Sequence, residues 1–247
     1  MLKEIIEKPN LDDTAPVSIT QRAYDELRQR IIRGSIAPGE RLKVDSLKAL
    51  LKVGASPIRE ALSLLTSDQL VERIDQRGFR AAPTSEKHFR EILMLRCRLD
   101  DIALRTSIAQ GDTQWEEQLV LAHHRLSQAQ RQETDVWEHL HKAFHMALLQ
   151  ACASPILLKF CDQLYNLNIR YRFLAGKSIR YGKRNVSHEH AEILHATLQR
   201  DADLAAKKLI AHYQRTGDFL VDQFAVSNDK STGQGSRTKT RSKSTRE

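Results

Sequence analysis

DSLKALLKVGASPIREALSLL, residues 45–65, reads as two short amphipathic helices joined by a tight turn through Val53, Gly54 and Ala55. Ser56 followed by Pro57 is expected to open the second helix, a capping hydroxyl and then a residue whose fixed φ suits a first turn. In that helix Ile58, Ala61, Leu62 and Leu65 recur at the three-and-four spacing of one buried face, which leaves Arg59, Glu60 and Ser63 outward. Two such helices around a tight turn form a helix-turn-helix, with the second helix placed to read DNA.

The flanks extend this reading. Upstream, Thr20 can cap a helix in which Ala23, Leu27 and Ile31 repeat every four residues, ending near Gly34. Pro38-Gly39 then makes a turn, and Asp45 or Ser46 is the expected cap of the first motif helix. Downstream the period becomes extended: Leu70–Ile74 and Phe79–Ala82 flank Asp75-Gln76-Arg77-Gly78, a β-hairpin with glycine in its turn. Helix, helix-turn-helix and hairpin together predict a winged helix over residues 18–82, preceded by a flexible arm at 1–17.

Pro83-Thr84-Ser85-Glu86 marks a boundary, and residues 85–226 show helix start signals with no strand-like alternation. The expected caps are Ser85, Thr113 in a capping box with Glu116, Thr134, Ser154 before Pro155, Ser187 and Asp201. They predict an all-α bundle of about six helices. Residues 227–247, rich in Ser, Thr, Lys and Arg, read as a disordered basic tail. The fold class is therefore mainly α, with one small hairpin wing.

Of the formal charge of +8, residues 1–80 hold +2, residues 81–224 hold +2, and the last 23 residues hold +4. Net charge alone is thus a weak argument for nucleic acid. The cysteines, Cys97, Cys152 and Cys161, make no CxxC pair, which argues against a disulfide framework or a thiolate metal cluster. Neither a long apolar run nor a signal-peptide pattern is present, so a cytoplasmic protein without membrane insertion is expected.

Histidines carry the chemistry of the helical part. His141 and His145, four apart, share one helix face; His190 lies on the line of Ile193, Leu194 and Thr197, and His212 follows Ala205 and Leu209. Three helices thus aim imidazoles inward, a pattern that suits zinc, nickel or a similar divalent ion, with hydrogen-bonded core histidines as the alternative. Catalytic look-alikes fail on spacing. Ala175-Gly176-Lys177-Ser178 has Tyr171 where a phosphate loop needs glycine, and His188-Glu189-His190-Ala191-Glu192 has Glu192 where HExxH needs histidine. An enzyme is not expected.

Three stretches carry a family resemblance: Ile36-Ala37-Pro38-Gly39-Glu40, Gly54-Ala55-Ser56-Pro57-Ile58-Arg59-Glu60-Ala61-Leu62 and Gln76-Arg77-Gly78-Phe79. They resemble the N-terminal domain of GntR-type bacterial transcription regulators, and the helical remainder resembles the FCD ligand-binding domain of their FadR subfamily. The match covers roughly residues 18–225. Within that subfamily, residues 54–83 resemble carbon-starvation-induced regulators, whose effectors include the dicarboxylate glutarate.

The resemblance implies roles. Arg59 would read guanine in the major groove; Ser56 and the amides at the helix start would meet a phosphate. Arg41, Lys43, Lys48 and Lys52 are candidate backbone contacts, and Arg77 beside Gly78 would reach the minor groove. Ala55 stands where many members carry a second arginine, which predicts a departure in the operator. The alternative for Arg59 is an ion pair with Glu60 or Asp68. His145, His190 and His212 match the three histidines of metal-binding members, while His141 stands at their aspartate position. Arg96 matches an arginine that can face the cavity and hold a carboxylate effector, its alternative being a pair with Asp100. The expected protein is a homodimeric regulator, a repressor that leaves a near-palindromic operator when a small carboxylate binds. The rival readings are a metal-dependent enzyme fused to a DNA-binding module and a regulator that senses the metal itself.

Overall fold

The computed structural model describes residues 17–75, 77–129, 134–175 and 184–232. It divides into two compact units, residues 1–83 and 84–247. The arm, apart from its last residue, and the last 15 residues of the tail lie outside the described residues.

The first unit runs α1 (Ile19–Ile32), β1 (Arg41–Leu42), α2 (Val44–Leu51), α3 (Ala55–Ser67), β2 (Val71–Ile74) and β3 (Gly78–Ala81). Leu27 and Ile31 of α1 and Ile58, Ala61, Leu62 and Leu65 of α3 are fully buried, so the apolar spacing read from the sequence is the packing face. Helix starts differ from expectation. Ser18, not Thr20, caps α1, accepting from Gln21 N at 3.0 Å, because Thr20 Oγ1 donates to Glu60 instead. Lys43 precedes α2 without a side-chain cap, so neither Asp45 nor Ser46 serves. Gly54 precedes α3, and Pro57 is its third residue, where the missing N–H costs no intrahelical bond.

The wing also gains a strand that two residues could not announce. Arg41 and Leu42 pair antiparallel with Arg80 and Phe79, giving the order β1-β3-β2. Gly39 N to Ala81 O and Ala81 N to Glu40 O, both 2.9 Å, prolong this pairing. Gly78 opens β3 at φ +89°, a conformation that explains a glycine there.

The second unit is α4 (Glu86–Gln110), α5 (Thr113–Gln128), α6 (Thr134–Leu149), α7 (Pro155–Leu174), α8 (Val186–Leu198) and α9 (Ala202–Thr232), with a short 3₁₀ turn at Gln150–Cys152. Ser85 and Ser154 cap α4 and α7 as expected, and Asp201 accepts from Leu204 N at the start of α9. Asp112 rather than Thr113 caps α5, and Asn185 rather than Ser187 caps α8. Helix α9 continues to Thr232, so the expected tail boundary at 226 falls inside a helix. The long α4 packs against α7 and α9, and a Cβ at Gly217 would come within 2.2 Å of Leu93, which shows how closely α9 approaches α4. Leu104, Leu119, Phe144, Leu148, Ile193 and Leu209 form a fully buried core. Next to it α4, α6, α7, α8 and α9 bury Arg96, Asp100, His141, His145, Asn168, His190 and His212. No helix among the described residues is long and apolar enough to cross a membrane.

Candidate functional site

In the first unit α3 presents Arg59 outward, exposed. Both rival partners are occupied: Glu60 accepts from Ser56 Oγ at 3.0 Å and Thr20 Oγ1 at 2.9 Å, and Asp68 accepts from the Tyr24 hydroxyl at 2.5 Å. Arg59 therefore makes no ion pair among the described residues, and its donor fork faces solvent. The Ser56 hydroxyl hydrogen is committed to Glu60, which leaves the backbone N–H groups of the first turn as the anion donors. Arg41, Lys43, Lys52, Arg77 and Gly78 are exposed, Lys52 in the left-handed conformation at φ 54°. Lys48 is half-buried and pairs with Asp45 at 3.2 Å.

In the second unit His141, His145, His190 and His212 converge: each offers a ligand nitrogen within 4.8 Å of the others, and all four are buried. His141 Nε2 lies 3.1 Å from His145 Nε2. A tetrahedral zinc with Zn–N bonds of about 2.0 Å would space its nitrogens roughly 3.3 Å apart, so a small inward shift fits this set to an ion. The outer nitrogens are held from behind. His141 Nδ1 meets the Tyr165 hydroxyl at 2.7 Å, His145 Nδ1 the Tyr213 hydroxyl at 3.1 Å, and His212 Nδ1 the Glu189 carboxylate at 2.8 Å. Because Tyr213 donates to Asp100 at 2.8 Å, its oxygen is left to accept from His145 Nδ1–H, which turns the His145 Nε2 lone pair inward.

Burial first, then the neighbouring imidazoles, holds His141 and His145 well below the ordinary histidine range. Burial lowers His212 to about 4, against the opposing pull of Glu189. All three are neutral at pH 7, the form that binds metal. Burial works against ionisation of Glu189, but the Arg184 and His212 hydrogen bonds outweigh it and hold the carboxyl far below its usual range. With His212 neutral, the charges that keep Glu189 ionised are those of Arg184 and, at the rim, Arg215.

These shifts set an acid limit. An unfolded histidine protonates near 6.5, whereas folded His212 resists until about 4, so its contribution is complete above 6.5 and is lost as pH falls toward 4. Metal-free protein should lose on the order of 3 kcal/mol from this group alone across that window. Thermal melts of the metal-free protein at pH 7.5 and 4.5 check it; equal midpoints would contradict the burial of a neutral cluster.

Beside the histidines is a small cavity of about 20 Å³, roughly the room one water needs, lined by Arg96, Trp137, His141, Asn168, Arg172 and His212 among others. Arg96 combines both readings made from the sequence: its Nε lies 3.5 Å from Asp100 Oδ2, and it also faces the cavity. Its Nη1 donates to Asn168 Oδ1 at 3.1 Å, and its guanidinium lies 3.8 Å from the Tyr213 ring centre and 4.8 Å from that of Tyr165. Arg96 Nη2 is buried without a hydrogen-bond partner. Arg172, paired with Glu138 at 2.7 Å, forms another part of the wall.

Sequence reading named Asp100 as a partner of Arg96 but missed Tyr165, Tyr213, Arg172, Arg184 and Glu189 as parts of this site. Glu189 did carry a signal, as a carboxylate next to the inward His190. Its partner His212 is on another helix, so only packing joins them.

The profile described as "Bacterial regulatory proteins, gntR family" matches residues 19–80, and that of the "FCD domain" matches residues 91–215. The chain is 34% identical over 227 residues to a Paraburkholderia xenovorans protein named as an uncharacterized HTH-type transcriptional regulator, BphR, covering 87% of this chain and 92% of that one. It is 31% identical over 197 residues to the Escherichia coli HTH-type transcriptional repressor GlaR, covering 76% and 90%. The solved structure of E. coli McbR/YncC shares the fold, with a TM-score of 0.72 at 22% identity over 84% of this chain and 99% of that one. The similar proteins are transcription regulators, not enzymes. The chain belongs to the GntR family of bacterial regulatory proteins, with an FCD domain behind its winged helix, and is a ligand-responsive, DNA-binding transcription regulator.

Proposed function

We propose that this regulator is a homodimeric, cytoplasmic repressor whose helical unit holds a divalent ion, zinc or nickel, and releases a near-palindromic operator when a small carboxylate enters beside it. The observation that carries the reading is Arg96: a buried guanidinium, lining the cavity next to His141 and His212, with Nη2 lacking an acceptor. A buried unsatisfied donor is costly, and a carboxylate would satisfy it with a charge-assisted bond. His141, His145, His190 and His212 would hold the ion, which would add positive charge where an anion docks. The cavity, about 20 Å³ in this structure, would have to open to seat a dicarboxylate of glutarate's size. Repression agrees with the name of the relative GlaR.

Arg59 would read guanine, with Arg41, Lys43, Lys48, Lys52 and Ser56 with the first-turn amides of its helix on phosphates, and Arg77 beside Gly78 in the minor groove. A single recognition helix spans few base pairs, which favours two-fold pairing. Exposed Leu95 and Ile102 on α4 and Ile156 and Phe160 on α7, two helices that pack together, supply apolar surface for a partner.

Gel shifts of metal-loaded protein on the DNA upstream of its own gene, with a panel of dicarboxylates, test the proposal. Release by one of them is expected; operator binding indifferent to every carboxylate would remove the mechanism. A second reading, that the ion itself is the signal, is favoured by the donor count, since four protein nitrogens close a tetrahedral zinc site. Chelation that abolished operator binding, reversed by one metal only, would select it.

A further inference from the structure

Two groups that touch His212 demand opposite things of one atom. His212 Nδ1 lies 2.8 Å from Glu189 Oε2 and 3.2 Å from Arg184 Nη2. An ionised carboxylate only accepts hydrogen bonds and a guanidinium only donates them. If Nδ1 carries the proton it donates to Glu189, and the Nε2 lone pair is free to face His141, His145 and His190. If Nδ1 lacks it, the ring accepts from Arg184, and the N–H moves to Nε2, where it blocks coordination.

We infer that Glu189 is the positioning residue that selects the metal-competent tautomer of His212, against the competing donor Arg184. The carboxylate wins on geometry: its contact is shorter and charge-assisted. Arg184 is diverted from Nδ1 by better acceptors. Its Nε donates to Glu189 Oε1 at 2.7 Å, its Nη1 to Thr216 Oγ1 at 2.9 Å and its Nη2 to the His212 carbonyl at 2.9 Å. Arg215 Nη1 at 3.1 Å fixes the other oxygen of the carboxylate from the rim. Tyr213, committed to Asp100, sets the tautomer of His145 rather than of His212, and the Tyr165 hydroxyl beside His141 can donate or accept. Among the described residues Glu189 is the carboxylate hydrogen-bonded directly to a member of the cluster, and it is also the negative charge closest in bonding to an otherwise neutral donor set.

This inference rests on the metal reading proposed above. Full-length protein stripped of metal is titrated with zinc against a chromophoric chelator, as wild type and as Glu189→Gln. In parallel, ¹⁵N-histidine NMR of the metal-free forms reads the His212 tautomer, with His212→Gln identifying its resonances. Glu189→Gln should weaken zinc about 10- to 100-fold and raise the Nε2–H population; because it also leaves Arg184 without its carboxylate, the metal-free melting midpoint should fall while the transition stays cooperative, which shows that the variant is folded where it is titrated. Should Glu189→Gln not fold, Glu189→Asp keeps the charge, withdraws the carboxylate by one methylene and should shift affinity and tautomer the same way. Zinc affinity equal to wild type, or weakened affinity with the Nδ1–H tautomer intact, overturns the assignment. Wild-type protein that takes up no zinc overturns the metal reading together with this inference, and is distinguishable because the failure precedes any substitution.

Discussion

His145→Ala should reduce zinc affinity by about a hundredfold or more. Structural zinc sites are worth roughly 10–16 kcal/mol, so one of four ligands carries on the order of 3 kcal/mol. His145 is the centre of the cluster: its Nε2 lies 3.1 Å from His141 Nε2, its ring centre 5.3 Å from both His190 and His212, and Tyr213 fixes its Nδ1. Calorimetric titration of metal-stripped protein with zinc measures the effect, with a metal-free melt separating ligand loss from unfolding. Zinc bound as tightly by His145→Ala as by wild type would place any ion elsewhere.

Arg59→Ala should cost operator binding about 2–6 kcal/mol, because each bidentate guanine contact is worth about 1–3 kcal/mol and a two-fold complex uses two copies. The change should cost little stability, since Arg59 is exposed and holds no ion pair that its loss would orphan. Fluorescence anisotropy at fixed salt, on operator and on scrambled DNA, checks both halves. Specific binding should collapse toward the non-specific level, which should itself barely move. An equal loss on both DNAs would make Arg59 a phosphate contact instead.

Much of the first unit was legible because its signals are local. The face of Ile58, Ala61, Leu62 and Leu65 follows from helical spacing, and the hairpin from a change of period around a glycine turn. Helix starts were less legible where several capping residues cluster. Ser18 and Thr20, Asp112 and Thr113, Asn185 and Ser187 can each cap, and the choice falls to whichever side chain is not recruited elsewhere, as Thr20 is by Glu60. Strand β1 escaped because two residues carry no period, and their hydrogen bonds go to a partner nearly forty residues away.

The sequence by itself determined the two-part architecture, the reading helix and the four histidines that face inward, since each is written in the spacing of residues along one element. Tertiary structure alone decided what surrounds them. Glu189 on α8 reaches His212 on α9, Asp100 on α4 engages Tyr213 on α9, and Arg96 on α4 meets Asn168 on α7. These contacts span 23 to 113 residues, and hydrogen bonding has no sequence period to betray it. Only the packing of α4, α6, α7, α8 and α9 brings together the groups that set the ring protons of His145 and His212 and leave Arg96 Nη2 waiting for an acceptor.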